Sequence, residues 1–315
     1  MLRYLVRRTL VSLPLLVVIP FGVFALMEFA PGDIATTLAG DNPSPDVIAR
    51  IRQELNLDDN LFSRFWTWLS HAMQGDFGHS LRTKEAVSTK VSHALGPSLS
   101  LVALSLLLAL IIGSAFGIIA GTHPKRWADR IVSVFTAILV AAPPFWVALM
   151  LVLGFSLSLD WLPATGYRPL SAGLWEWLRF MILPSVALAL VPAAEVSRQL
   201  RGSLVQVLDR DYVLTARAKG LLPRQVIFKH ALKNAAIPVL TVFGYRAAQI
   251  LGSTVVVETV FNIHGIGDTA LQAVLTGDIP VVLAIALLTT IAVVVVNLLT
   301  DLAYGYLNPK IRQPS

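Results

Sequence analysis

Three stretches of the chain, Thr9–Met27, Ile131–Leu159 and Ile279–Thr300, contain no Lys, Arg, Asp or Glu, and between Glu85 and Lys125 the only charge is Lys90. Apolar runs of roughly 18 or more residues predict helices that cross a membrane. Two further runs are weaker: Phe180–Ala194 is short and ends at Glu195, and Asn234–Val257 carries Arg246. Loop charge decides the first of these. Lys125, Arg126 and Arg130 mark one loop as facing inward, and a basic stretch from Arg198 to Lys233 marks another. An even number of crossings must separate them, so the run at 131–159 needs a partner, and Phe180–Ser197 is the available one. Six spans are predicted, at 9–29, 98–121, 131–159, 180–197, 236–258 and 280–303.

The same rule orients all six. Arg3, Arg7 and Arg8 precede the first span and Lys310 and Arg312 follow the last, which places the N-terminal residues 1–8 and the tail 304–315 in the cytoplasm. Glu258, Asp268 and Asp278 belong to a segment without Lys or Arg, and the connection 259–279 is therefore expected outside. Trp161, Trp175 and Trp177 flank the outer ends of spans three and four, where amphipathic rings prefer to sit. Composition agrees: charged residues are 14% of the chain, against about 25% in soluble domains, and mean hydropathy is +0.69. The net charge of +6 belongs to inner loops, so no nucleic-acid partner is expected. With no cysteine, disulfides and thiolate metal sites are excluded. The first apolar run is too long for a cleaved leader, and Glu28-Phe29-Ala30-Pro31 is a poor cleavage site.

Segment 30–97 is the one sizeable extramembrane region outside. Pro31-Gly32-Asp33 reads as a turn, and Ser44-Pro45-Asp46 opens a helix carried by Val47, Ile48, Ile51 and Leu55 to about Leu57. Phe62, Phe65, Trp66 and Leu69 give a second amphipathic helix, broken at Gly75-Asp76-Phe77-Gly78. These helices either cap the bundle or meet a delivery protein outside.

Within the spans, Gly113, Gly117, Pro143, Pro144, Pro184, Pro192, Gly244 and Gly252 predict bent helices around a polar path, with ordinary packing irregularity as the alternative. Arg246 is a charge at mid-span and must face protein or water, as a path residue or as half of an inner pair. Glu195 is expected at the inner interface.

The inner segment 198–235 is the most informative. Asp209 or Asp211 caps a short helix, and Tyr212, Thr215, Ala216 and Lys219 fall on one face of it. Gly220 permits a sharp turn, and Pro223 starts a second helix to about Asn234. So many small residues beside a turn suit close approach of another protein; adsorption on anionic lipid is the rival.

This segment resembles the EAA loop of binding-protein-dependent ABC permeases, in the dipeptide, oligopeptide and nickel branch. Thr215-Ala216-Arg217-Ala218-Lys219-Gly220 and His230-Ala231-Leu232 carry the resemblance. It extends over nearly the whole chain: Ala30-Pro31-Gly32-Asp33, Gly75-Asp76-Phe77-Gly78-His79-Ser80, Pro143-Pro144-Phe145, Leu162-Pro163, Asp211-Tyr212, Glu258-Thr259-Val260-Phe261, Gly265-Ile266-Gly267 and Asp301-Leu302-Ala303-Tyr304. The long outer segment is similar to that of the first of the two permeases in such systems. The chain departs from the branch with His264 in place of a proline and with Asn308-Pro309-Lys310, and from the broader family with Leu214-Thr215-Ala216 and Lys233.

The resemblance implies an all-α membrane protein with six transmembrane helices of the type I ABC importer permease kind, a permease core at 95–305, and a location in the bacterial plasma membrane. It implies a second, homologous permease as partner, cytoplasmic ABC ATPase subunits (separate or fused) that bind ATP and Mg, and an extracytoplasmic solute-binding protein. Asp211, Tyr212, Thr215, Ala216, Arg217, Ala218, Lys219 and Gly220 then couple to the ATPase, and Arg246, Glu258, Phe261, Pro143 and Pro144 are candidates for the path or its gate. Di- or oligopeptides are the implied cargo, nickel or another small solute the alternative. The chain has no GxxxxGK[ST] loop, HExxH or GxSxG, so neither ATPase, metallohydrolase nor serine hydrolase is expected, and no cofactor of its own. An ion-driven secondary transporter predicts inverted repeats and mid-membrane carboxylates, which the sequence does not display. A membrane scaffold without transport leaves Arg246 and the small-residue loop without a purpose.

Overall fold

A computed structural model describes residues 8–29, 35–36, 44–54 and 57–307. The expected Pro31-Gly32-Asp33 turn, Leu55, and the terminal charges Arg3, Arg7, Lys310 and Arg312 lie outside the described residues.

The described chain is helical. In order it forms α1 (Leu15–Glu28), α2 (Pro45–Glu54), α3 (Leu61–Ala72), α4 (Val87–Thr122), α5 (Trp127–Ala141) and α6 (Pro144–Leu151), the last prolonged by a π-helical turn at Val152–Ser158. Then come α7 (Leu174–Leu208), α8 (Asp211–Ala218), α9 (Pro223–Val260), α10 (Ile266–Leu275) and α11 (Ile279–Leu307). Among the described residues five helices, at Arg8–Glu28, α4, α7, α9 and within α11, are long and apolar enough to cross a membrane, and α5 with α6 adds a sixth if the pair is one span.

The third predicted span is not one rod: α5 and α6 meet at 105°. Each proline of Pro143-Pro144 disfavours the helical region for the residue before it. Ala142 (ψ 126°) and Pro143 (ψ 135°) are accordingly both extended. α7 extends well beyond 180–197 in both directions, because Arg179 and Glu195 end an apolar run without ending a helix. The helix begun at Pro223 does not stop near Asn234 either; it continues through a π turn at Val226–Ala231 into the fifth span. The segment 259–279 contains the ten-residue α10 and is not an open loop. Glu258 lies in α9 with 0% exposure, and Asp278 is likewise buried.

The chain divides into two compact units. One comprises Leu99–Ile263 with residues from Val295 onward, and the other is drawn from Val6–Ser98 and His264–Val294. α7 is the axis of the first: 67% of its apolar window is buried, against 28% for α4 and 22% for α9. It packs on α4 along a row of small residues one turn apart. A Cβ built on Gly113 would lie 2.6 Å from the Ala193 carbonyl oxygen and 2.8 Å from Val196 Cβ. One on Gly117 would lie 2.8 Å from Leu200 Cβ, and one on Gly121 2.9 Å from Leu204 Cβ. Ala109, against Ala189 and Ala193, continues the seam. In lipid, where helix association rests on close van der Waals contact, such rows let backbones approach. Gly113 and Gly117 are therefore packing residues, the alternative to bending that their pattern left open.

In the second unit, the start of α4 (Val87, Val91) packs with Ala273 of α10 and with Val281 and Ile285 of α11. The Ser98 hydroxyl accepts from the Ile266 N–H at 2.7 Å, capping α10 where Gly265-Ile266-Gly267 begins. Phe65 and Leu69 of α3 pack on Phe24 of α1 and Leu283 of α11, and Arg64 reaches Glu28 at 2.9 Å. The amphipathic reading of α3 splits here: Phe65 and Leu69 turn inward, while Phe62 and Trp66 stay 69% and 61% exposed. Gly75 and Gly78, at φ +86° and +79°, end α3 through an Asx turn in which Asp76 Oδ1 accepts from the Gly78 N–H. The strand-like pair His79 and Ala86 follows, and Asp278 accepts from Ser80 Oγ (2.5 Å) and the Leu81 N–H (3.0 Å), with Lys90 Nζ 3.8 Å away.

Candidate functional site

Two constellations in the first unit collect most of the residues singled out above. One is the elbow between α7 and α9. Asp211 is the first residue of α8 and not its cap; Arg210 holds that position without a side-chain bond. Two backbone bonds close the other end: the Gly220 N–H donates to Arg217 O (2.9 Å) and the Leu221 N–H to Ala216 O (3.3 Å). This is a Schellman closure, and it needs the left-handed backbone that Gly220 adopts at φ +79°. Val213 (0% exposed) and Ala216 (6%) are sunk among Leu204, Leu208, Val226, Ala231 and Ala235. Burying a valine-sized side chain contributes about 1.5–3 kcal/mol, enough to pin so short a helix. The Asn234 amide donates to Tyr212 Oη at 2.9 Å and ties α8 to α9, while Thr215 Oγ1 donates to its own helix at Asp211 O.

The expected docking face therefore rotates. Ala216 belongs to the chain's own core, and the outward surface is Tyr212 (43% exposed), Leu214 (50%), Thr215, Arg217, Ala218 and Lys219. Leu214 was not among the expected residues; an eight-residue helix has too few turns for spacing alone to say which side is buried. Next to α8, Thr122 and His123 at the end of α4 join Arg217, Leu221 and Pro223 around a groove of about 330 Å³. The turn after α4 and the elbow thus line one groove of this unit.

The second constellation is an open cleft of about 360 Å³ at the break between α5 and α6. Ala142, Pro143 and Pro144 face Pro192 of α7 and Arg246 and Ser253 of α9 across it. Arg246 donates from Nε and Nη2 to the two carboxylate oxygens of Glu195 and from Nη1 to Gln249 Oε1. Arg198 Nη2 stands 3.9 Å from Glu195 on the same helix, a second cation for one carboxylate. Glu195 is thus the partner of Arg246. Two opposite charges in adjacent apolar runs were the signal for it; no pattern distinguished Gln249.

Three of the five path candidates, Arg246, Pro143 and Pro144, line this cleft. Glu258 and Phe261 do not. Glu258 is three turns further along α9, about 18 Å, and Phe261 (1% exposed) sits in the core with Leu101, Met181 and Ile263. The Asn262 N–H donates to Thr259 O and the Ile263 N–H to Glu258 O, with Asn262 at φ +49°. Glu258-Thr259-Val260-Phe261 is here a helix terminus, and Phe261 O also accepts from the Gly166 N–H at 2.8 Å.

An ion pair that no sequence pattern announced ties α7 to α5. Arg201 of α7 donates from Nε and Nη2 to both oxygens of Asp129, in the first turn of α5, and the Lys125 N–H adds a 2.8 Å bond. Asp129 is 3% exposed. Asp129→Asn is expected to lower stability by about 2 kcal/mol, less than a fully buried pair because Arg201 is partly solvated. Thermal unfolding in detergent checks this, and Asp129→Asn with Arg201→Gln recovers part of the loss if the pair is the cause.

Apolar helices around an open charged cleft, with a rigid solvent-facing elbow, define a multi-pass membrane permease. Residues 113–313 match the family described as binding-protein-dependent transport system inner membrane component, and residues 1–102 match the N-terminal model of the same systems' membrane component. The chain belongs to this family and is a permease subunit of an ABC importer. It is 37% identical over 309 residues to a probable peptide ABC transporter permease protein, y4tP, of Sinorhizobium fredii, covering 98% of this chain and 99% of that one. It is 38% identical over 312 residues to the glutathione transport system permease protein GsiC of Escherichia coli K12, covering 99% of each. The fold is similar to that of the MetNI methionine ABC transporter (TM-score 0.54, 16% identity, 69% of this chain and 96% of that one). It is also similar to a chain of an amino acid ABC transporter (TM-score 0.52, 15% identity, 70% of this chain and 94% of that one). The fold is that of type I ABC importer permeases. The family works with ATPase and solute-binding partners in the inner membrane.

Proposed function

We propose that this chain imports peptides, forming one half of a path completed by a second, homologous permease. ATP and Mg are bound and used by cytoplasmic ABC ATPase subunits docked on α8, and an extracytoplasmic binding protein delivers the solute. In this reading 1–8, 198–235 and 304–315 are cytoplasmic, 30–97 and 259–279 are outside, and 95–305 is the permease core.

The observation that carries the reading is the elbow: a short helix stapled into the core by Val213 and Ala216, closed by Gly220, with Leu214 and Tyr212 left apolar and exposed. A merely solvated loop has no use for a rigid helix that holds apolar side chains in water. A rigid helix can pass displacement of a docked partner into α7 and α9, which continue from it; such rigid-body transfer is a standard form of coupled transition. The peptide assignment is supported by the peptide and glutathione permeases to which the chain is similar over its full length.

The test is uptake of dialanine and of glutathione by the assembled complex in proteoliposomes. Uptake of at least one is expected with ATP inside and binding protein outside, and none with a proton or sodium gradient alone. Gradient-driven uptake without ATP sinks the assignment.

A further inference from the structure

Arg246 is the one charged residue lining the cleft, and the charges linked to it do not balance. Arg246 and Arg198 contribute two guanidinium groups and Glu195 one carboxylate. Glu195 occupies the bidentate Nε/Nη2 edge of Arg246 and Gln249 takes one Nη1 donor, so a solute carboxylate gains that edge only when Glu195 leaves it. Moving a half-buried carboxylate off its only partner would be costly, because an orphaned charge in a poorly solvated place loses its compensation. Glu195 has another partner. Arg198 lies one turn along α7, within 3.9 Å, and its side chain is 51% exposed, so its guanidinium is free to close up. Glu195 is therefore a carboxylate with two berths, one on Arg246 at the edge of the cleft and one on Arg198 a turn further along α7. At about 360 Å³ the cleft falls within the usual range of small-ligand sites, roughly 300–1,000 Å³.

We propose that Arg246 receives the free carboxylate of the transported solute, and that Glu195 is a mobile counter-ion that passes to Arg198 when the solute arrives and returns when it leaves. The proposal rests on the importer reading for its cargo and narrows that cargo to solutes with an unmodified carboxylate, as at a peptide C-terminus. A bidentate guanidinium–carboxylate pair is among the stronger and more directional contacts available, and exchange of one carboxylate for another conserves it. The exchange keeps every charge paired at each stage, so the resting latch between α7 and α9 opens without an orphaned ion.

The chain contains no cysteine, so a single reporter thiol can be placed in the cleft. Ser253→Cys lines it, and the native hydroxyl bonds its own helix, at Gln249 O. The assembled complex carrying Ser253→Cys is labelled with an anionic and with a cationic thiosulfonate of similar size, and the same complex without the reporter gives the background. The anionic reagent is expected to react faster by about fivefold or more, as a local positive field concentrates it. Arg246→Gln should erase that preference and Arg246→Lys preserve it. Dialanine should slow labelling while dialanine amide does not, and Arg198→Gln should raise the dialanine concentration for half-protection by about tenfold, since Glu195 then has nowhere to go. Equal reagent rates in the parent, an unchanged preference in Arg246→Gln, or equal protection by acid and amide overturns the carboxylate site. An unchanged half-protection in Arg198→Gln overturns the counter-ion exchange. Labelling needs no ATP, so a charge preference that persists in a complex without ATP-driven uptake would sink the importer reading and leave the site standing.

Discussion

Gly117→Leu is expected to destroy the α4–α7 seam and to lower the thermal stability of the purified chain more than Asp129→Asn does. The Cβ alone would sit 2.8 Å from Leu200 Cβ and 3.0 Å from the Ser197 carbonyl oxygen. Neither neighbour can retreat, since both atoms belong to or adjoin the backbone of α7, the most buried of the five candidate spans among the described residues. Over-packing a tight site costs about 1–3 kcal/mol, and a leucine that must force two backbones apart falls at or above the upper end. Gly113→Leu should behave alike. Gly252→Leu is the control: nothing lies within 4 Å of its Cβ position, so it should change stability by about 0.5 kcal/mol or less. Equal melting of Gly117→Leu and Gly252→Leu would mean that the seam does not hold the unit together.

The second large effect is on partner binding. Leu214→Asp is expected to abolish co-purification of the ATPase and ATP-driven uptake while leaving the melting temperature of the chain unchanged. Leu214 is 50% exposed on α8, so a carboxylate there is solvated in the free chain and desolvated in a complex. Forcing a charge into the centre of an interface weakens association by about 2 kcal/mol or more, roughly thirtyfold. Ala216→Arg must fail differently. Ala216 is 6% exposed beneath Val213 and Val226, and an arginine there unseats α8 itself, lowering stability as well as docking. ATPase retained on Leu214→Asp would show that α8 is not the docking surface.

These two contrasts mark where the sequence was legible. Long apolar runs and loop charges suffice for the spans, because the bilayer imposes length and satisfied backbone on any segment that crosses it. The boundaries were less legible for a physical reason. Charge ends an apolar run, but a helix continues through charge when a partner or water receives it, as at Glu195 and Arg179 in α7. Pro143-Pro144 announced a disturbance; that it turns the chain through 105° and opens a cleft beside Arg246 depends on what α7 and α9 place there. Gly113 and Gly117 announced conformational freedom, yet their use is absence of bulk, which is visible only against Val196 and Leu200. For α8, the burial of Ala216 and the exposure of Leu214 depend on Leu204 and Val226, residues far apart in sequence. Arg201 and Asp129, 72 positions apart, could be joined only by the fold.

The length of α7 has a consequence for where force is applied. Its 35 residues make a rod of about 52 Å, whereas the hydrocarbon slab is about 30 Å thick. A shaft about 20 Å longer than the hydrocarbon slab, and about 10 Å longer than the roughly 40–45 Å that includes the headgroups, can carry its crank into water. Exchanging anionic for neutral phospholipids around the complex should therefore leave the grip of the motor on this subunit untouched, even where it alters the tilt of the surrounding helices.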